Sequence, residues 1–323
     1  MKLSSMSGGL AVAVLSAVSF GTSGAFVKPL LEAGWSPTAA VTTRALTAGL
    51  LLLPVALFTL RGRWSALWRG RWRVLGMGVV GVAATQLTYF AAIKRIPVST
   101  ALLVEFLAPL LLVALAWATT RRTPRPAVLA GSVLAVGGLV LVIGPGALQA
   151  VDPLGLTLAF AAAIGCAAYF LIAARPDDGL PPVALASSGL LLGALTLGLL
   201  GATGLLPFTA TFGELPLFGT VVPWWVPLLI VAVVGTALAY AAGITASGLL
   251  GSRLASFVGL LEVVFASLFA WLLLGEELTP LQLVGGALIL GGIAAVRAAG
   301  SETATESVQP PCPADGERHP APV

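Results

Sequence analysis

Long apolar runs separated by short polar loops are the dominant pattern of this chain. Roughly 20 consecutive apolar residues are needed for a helix to cross a bilayer core of about 30 Å. Ten such runs can be drawn, at 8–30, 37–60, 74–93, 97–118, 127–144, 154–174, 182–204, 224–246, 254–274 and 280–298. Pro37, Pro97, Pro153 and Pro280 stand at run starts, where the missing N–H of a first-turn proline costs nothing. Alternating segments of about 10 residues, the mark of a membrane β-barrel, do not occur. The pattern predicts an all-α integral membrane protein with ten transmembrane helices. The first run follows Lys2 in the manner of a secretory signal, but it is too long for one. Lys28-Pro29 ends it without a small-residue cleavage pattern, so it is expected to be the first span.

Composition sharpens this picture. The chain is 58% hydrophobic and 9% charged, against about 25% charged residues in soluble domains. The net charge of +4 does not point to a nucleic-acid partner, because the basic residues sit in short loops. RGRWSALWRGRWR (61–73) holds five arginines and TTRRTPR (119–125) three. If ten helices alternate, Lys2, Arg175, Arg253 and Arg297 share that side, and the other side holds Lys28, Lys94 and Arg95. Basic loops stay in the cytoplasm. A multi-pass protein of the cell membrane with both termini cytoplasmic is therefore expected, its surroundings the lipid bilayer. Trp64, Trp68 and Trp72 on one face, and Trp224 and Trp225 on the other, suit interfacial belts. The segment 299–323 is polar and proline-rich, the composition of a disordered tail. Cys166 lies in a span while Cys312 and the single histidine, His319, lie in the tail. No disulfide, metal site or cofactor is expected.

The two halves correspond. VEFLAPLLLVALAW (104–117) lies over LEVVFASLFAWLLL (261–274), placing Glu105 on Glu262 and Pro109 on Ala266. Gly131, Gly137 and Gly138 of the fifth span match Gly285, Gly291 and Gly292 of the tenth. FGTSGAF (20–26) matches IGCAAYF (164–170). Apolar sequence carries little information, but three matches in one order at nearly one offset define two units, 8–144 and 154–298. Five spans per unit is an odd number, so the second unit must be inserted upside down. Inverted repeats are a recurrent plan of secondary transporters.

Charges inside the spans supply the candidate chemistry. Glu105 and Glu262 each lie about 8 residues from the start of their spans, roughly 12 Å into the core at 1.5 Å per residue. They approach the midplane from opposite faces, as symmetry mates should. An intramembrane charge costs about 2.5–3.5 kcal/mol and turns to the bundle interior. Small neighbours (Ala101, Ala108, Gly259, Ala266) mark these faces as protein-facing. Either acid can bind a cationic group, carry a coupling proton, or tie helices together as a structural acid. Arg44 of the second span can meet a carboxylate, pair with a glutamate, snorkel outward or seal a helix contact. Gln86, Thr88 and Tyr89, with Thr236 and Tyr240, are candidates for a polar pathway or for interhelical hydrogen bonds. Paired glycines at 137–138 and 291–292 read as close-packing sites.

These residues resemble a known family. GLLEVVFASLFAWLLLGEELTPLQLVGGALILGGIAA (259–295) is similar to the second-repeat signature of EamA-type transporters of the drug/metabolite transporter superfamily. AAIKRIPVSTALLVEFLAPLLLVAL (91–115) resembles the first-repeat equivalent and SFGTSGAFVKPLL (19–31) the opening helix. The resemblance implies two inverted five-helix EamA repeats and a secondary-active transporter of a small polar metabolite, commonly amino-acid or drug efflux. It does not imply an enzyme. IPVSTALLVEFLAPL is similar to the stretch in bacterial threonine/homoserine exporters. Import or exchange of another metabolite, or a channel, are the alternatives. A second copy of the chain stands as a candidate partner beside the small-molecule substrate. Phe20 stands where many members carry tryptophan, and Val263 where a proline is common. That missing proline removes the signal for a helix break at Glu262, whereas Pro109 can supply one after Glu105.

Overall fold

A computed structural model describes residues 3–144, 152–175, 179–275 and 277–306. Among them ten helices are long and apolar enough to cross a membrane: Met6–Glu32, Pro37–Thr59, Arg71–Ile93, Val98–Thr120, Pro126–Ile143, Pro153–Ala173, Pro182–Ala202, Trp225–Leu250, Ser252–Leu274 and Pro280–Ala299. Five begin on a proline, and side chains cap two of these. Ser36 Oγ accepts from the Ala39 N–H at 3.2 Å and Asp152 from the Leu154 N–H at 3.2 Å. The tenth helix continues to Glu306, through the first residues of the segment expected to be disordered. The rest of that tail, with Cys312 and His319, lies outside the described residues, as do Asp177 and Asp178. Ten crossings put both ends of the described chain on one face, here the termini side, opposite the far side.

Packing follows a two-fold plan. The first span lies against the eighth and ninth, and the sixth against the third and fourth. The second pairs with the seventh and the fifth with the tenth. The glycine frame makes the last pair possible. A methyl on Gly131 would meet the Gly292 carbonyl oxygen at 2.7 Å, and one on Gly292 would meet that of Gly131 at 2.6 Å. Gly138 and Gly285 oppose each other in the same way. Only backbone-to-backbone contact fits there, as in small-residue helix pairs of membranes.

Irregularities also come in pairs. Wider π-helical turns occupy Gly76–Ala84 of the third span and Val233–Leu238 of the eighth. The fourth span is broken between Val98–Glu105 and Ala108–Thr120, and the ninth between Ser252–Gly259 and Leu261–Leu274. Pro109 accounts for the first break, since it sits in the first turn of the new segment. The second occurs without a proline, which corrects the expectation from Val263. Gly259 is a weak helix former, and a methyl there would meet the Phe170 ring at 3.2 Å. Three-residue turns, Leu260 N–H to Phe257 and Val263 N–H to Leu260, carry the chain across.

One element was not expected. Between the seventh and eighth spans, strands β1 (Glu214–Leu217) and β2 (Thr220–Pro223) form an antiparallel hairpin. Its two-residue turn puts both Phe218 (φ 49°) and Gly219 (φ 83°) in the left-handed region, the backbone of a type I′ turn. Leu215 and Leu217 are buried against Leu30, Trp35 and Ala39 at the far end of the first two spans. Ser36 N–H donates to the Thr209 carbonyl at 2.9 Å and Trp35 Nε1 to that of Thr211 at 2.7 Å.

Candidate functional site

Between the repeats lies a cavity of about 380 Å³, within the range for small-molecule sites. Arg44, Gln86, Tyr89, Glu105, Tyr240 and Glu262 all line it. Each is half-buried. The broken spans explain how the acids arrive. Glu105 is the last residue of its segment and Glu262 lies in the first turn of its own, so both project where the backbone changes direction.

Thr88 and Thr236 do not line the cavity. Thr88 donates back to the Ala84 carbonyl at 2.8 Å, an ordinary intrahelical bond. Thr236 is buried, its hydroxyl without a hydrogen-bond partner among the described residues. Conversely, the cavity wall includes residues the sequence did not mark: Ser16, Ser23, Thr85, Cys166, Tyr169 and Phe170. Ser16 Oγ and Ser23 Oγ donate to the carbonyls of Ala239 and Gly235, at 2.9 and 3.2 Å. They tie the first span to the eighth, the latter at its π-helical turn. Tyr169 is buried, its hydroxyl has no hydrogen-bond partner among the described residues, and its ring stands edge-on to Tyr240 at 5.6 Å. Phe20 packs on the other side of Tyr240 at 5.2 Å.

The electrostatics are uneven. Glu262 lies within coulombic range of both Glu105 and Arg44, yet none of the three side chains makes an ion pair or hydrogen bond to another described residue. Arg44 has Tyr240 and Glu262 as its charged or ionisable neighbours, and Glu105 has Tyr89. Buried polar groups are normally partnered, and unpaired charges in low dielectric are costly. Two carboxyl groups and one guanidinium thus share one space set in aromatic walls.

Apolar packing differs at the two ends of the cavity. On the termini side a continuous cluster joins Ala13 and Ala17, Val113, Ala246, Phe257 and Val258, from the first, fourth, eighth and ninth spans. The corresponding far-side cluster joins Ala92, Ile96, Ala101, Val104 and Ala159 of the third, fourth and sixth spans, with no residue of the ninth. Related positions show the difference. Ala255 is 5% exposed, while Val98, its counterpart in the Glu105–Glu262 register, is 50% exposed.

Ten helices long and apolar enough to cross a membrane surround a cavity lined by charged, polar and aromatic side chains. The chain belongs to the EamA-like transporter family, whose profile matches it twice, over residues 7–144 and 153–298. It is 27% identical over 297 residues to the "Uncharacterized inner membrane transporter YicL" of Salmonella typhimurium, covering 88% of this chain and 93% of that protein. It is 25% identical over 232 residues to the "Uncharacterized transporter YwfM" of Bacillus subtilis, covering 71% and 74%. A solved crystal structure, 20% identical, superposes with a TM-score of 0.70 over 92% of this chain and 99% of that one. That likeness shows the fold.

Proposed function

We propose that this protein is a secondary-active carrier of a small metabolite bearing both an amino and a carboxyl group, working by alternating access and exporting its substrate from the cell. The observation that carries the reading is the placing of Arg44, Glu105 and Glu262, unpaired among the described residues, on one cavity. A substrate carboxylate would meet Arg44 as a two-pronged hydrogen-bond pair, and an ammonium would meet the glutamates. The aromatic walls would take an apolar side chain.

Proton coupling follows from the same acids. An ammonium group and a proton compete for one carboxylate, so occupancy by either opposes the other. A carrier that reorients with one or the other bound exchanges them. Broken helices and paired π-helical turns supply joints at which each half can change conformation. The unequal apolar clusters at the two ends of the cavity support a carrier whose halves exchange such contacts. The membrane is the cell membrane, and the termini side, which holds the arginine-rich loops, faces the cytoplasm.

The test is flux of an amino-acid and amine panel in proteoliposomes under an imposed pH gradient. Saturable uphill movement of a zwitterion that a protonophore abolishes is the expected result. Downhill, non-saturating flux indifferent to the gradient would overturn the reading.

A further inference from the structure

The connection from the second span into the start of the third carries a feature that the central cavity does not use. It holds two short helices, Trp64–Arg69 and Arg71–Leu75, the latter opening the third span. One face is committed inward: Ala66 is buried and Leu67 packs against the cluster that holds Leu60 and Leu180. The opposite face is exposed and holds Trp64, Trp68 and Trp72, at 55%, 71% and 67% exposure. Among the arginines, Arg73 is used internally, donating through Nε to the Ile172 carbonyl at 3.2 Å. Arg61, Arg63, Arg69 and Arg71 are exposed and make no ion pair with another described residue.

The arrangement of rings and cations is specific. The Arg71 guanidinium lies over the rings of both Trp68 and Trp72, at 4.8 and 5.6 Å from their centroids. Its Nη1 donates to the Trp68 carbonyl at 3.0 Å. Arg61 lies over the Phe58 ring at 5.3 Å. Indole rings favour the glycerol and headgroup depth of a bilayer, and a guanidinium fixed on a ring keeps its edge donors for a phosphate. A water-soluble anion gains nothing from three exposed indoles. A lipid with an anionic phosphodiester headgroup satisfies both parts of the face, and basic clusters beside a membrane helix attract such lipids.

We propose that residues 61–72 form a binding platform for anionic phospholipid, with Arg61, Arg63, Arg69 and Arg71 on the headgroup and Trp64, Trp68 and Trp72 at the level of the acyl ester region. The face stands on the membrane boundary and is independent of the transport reading.

The experiment uses the full chain in nanodiscs of phosphatidylcholine doped with brominated phosphatidylglycerol or brominated phosphatidylcholine. Tryptophan quenching in wild type is expected to be stronger with the brominated phosphatidylglycerol, and the preference to fade as salt is raised. Equal quenching by the two lipids in wild type overturns the proposal, whatever any variant does. Each single Arg→Gln change at 61, 63 or 71 is expected to weaken the preference about fivefold. Arg→Lys changes at the same positions keep the loop's charge and topology, and are expected to retain most of it. A preference undiminished in the three Gln variants overturns the assignment to these residues. Competition by inorganic phosphate as effective as that by the lipid would replace the lipid with a free-anion site and overturn it as well.

Discussion

Glu105 closes one helical segment and Glu262 opens another, so the two acids face one cavity from opposite ends of broken helices. The negative end of a helix dipole therefore lies at Glu105 and the positive end at Glu262. Symmetry-related in sequence, they are electrostatically distinct in the folded chain, and Glu262 has Arg44 as a neighbour in addition.

Removing either charge is the first test. Glu105→Gln and Glu262→Gln, which keep shape and hydrogen bonding, are each expected to lower transport about tenfold or more, the loss of one charge-assisted hydrogen bond. Flux in proteoliposomes at matched protein levels measures this. Normal transport by both variants would refute the site.

Arg44 separates two roles. If it holds a substrate carboxylate, Arg44→Lys retains charge but loses the planar fork and raises KM, while amines lacking a carboxylate bind as before. Equal loss for amines and zwitterions would instead assign Arg44 to the glutamates.

The glycine seam gives a stability prediction with an internal control. Gly138→Ala places a methyl against the Gly285 backbone, which an over-packed contact penalises by about 1–3 kcal/mol. Gly137 has nothing within 4 Å of such a methyl, so Gly137→Ala is expected to leave the melting temperature in detergent unchanged or raised. Similar losses in both variants would contradict the packing.

Under the proposed alternating access, pseudo-symmetry specifies the contacts of the opposite state. The termini-side cluster contains Val113 and Phe257; in the register that sets Glu105 on Glu262, their counterparts are Ala270 and Thr100. Thr100 is buried with an unpaired hydroxyl. In a background with Cys166 and Cys312 replaced by alanine, the pair Thr100→Cys with Ala270→Cys is expected to cross-link only after the carrier switches. Val113→Cys with Phe257→Cys is expected to cross-link before it does. Cross-linking that ignores gradient and substrate for both pairs would argue against exchange between the repeats.

Sequence by itself determined the ten spans, the inverted repeat and the six polar residues that the fold gathers on the cavity wall. It could do so because hydrocarbon is an unforgiving solvent: a helix must be apolar along about 20 residues, so Arg44, Glu105 and Glu262 stand out against their surroundings. Hydroxyls carry no such signal. Ser16 and Thr88 look alike in sequence, since either can bond to its own helix; only packing sends Ser16 to the Ala239 carbonyl across to the eighth span. Tertiary structure alone decided the break at Leu260, which Gly259 and the approach of Phe170 permit without a proline, and the hairpin at 214–223, whose strands are too short to print a pattern. It alone decided that the apolar clusters at the two ends of the cavity differ, because two halves of similar sequence hold different contacts at once and no local pattern in either half encodes that difference.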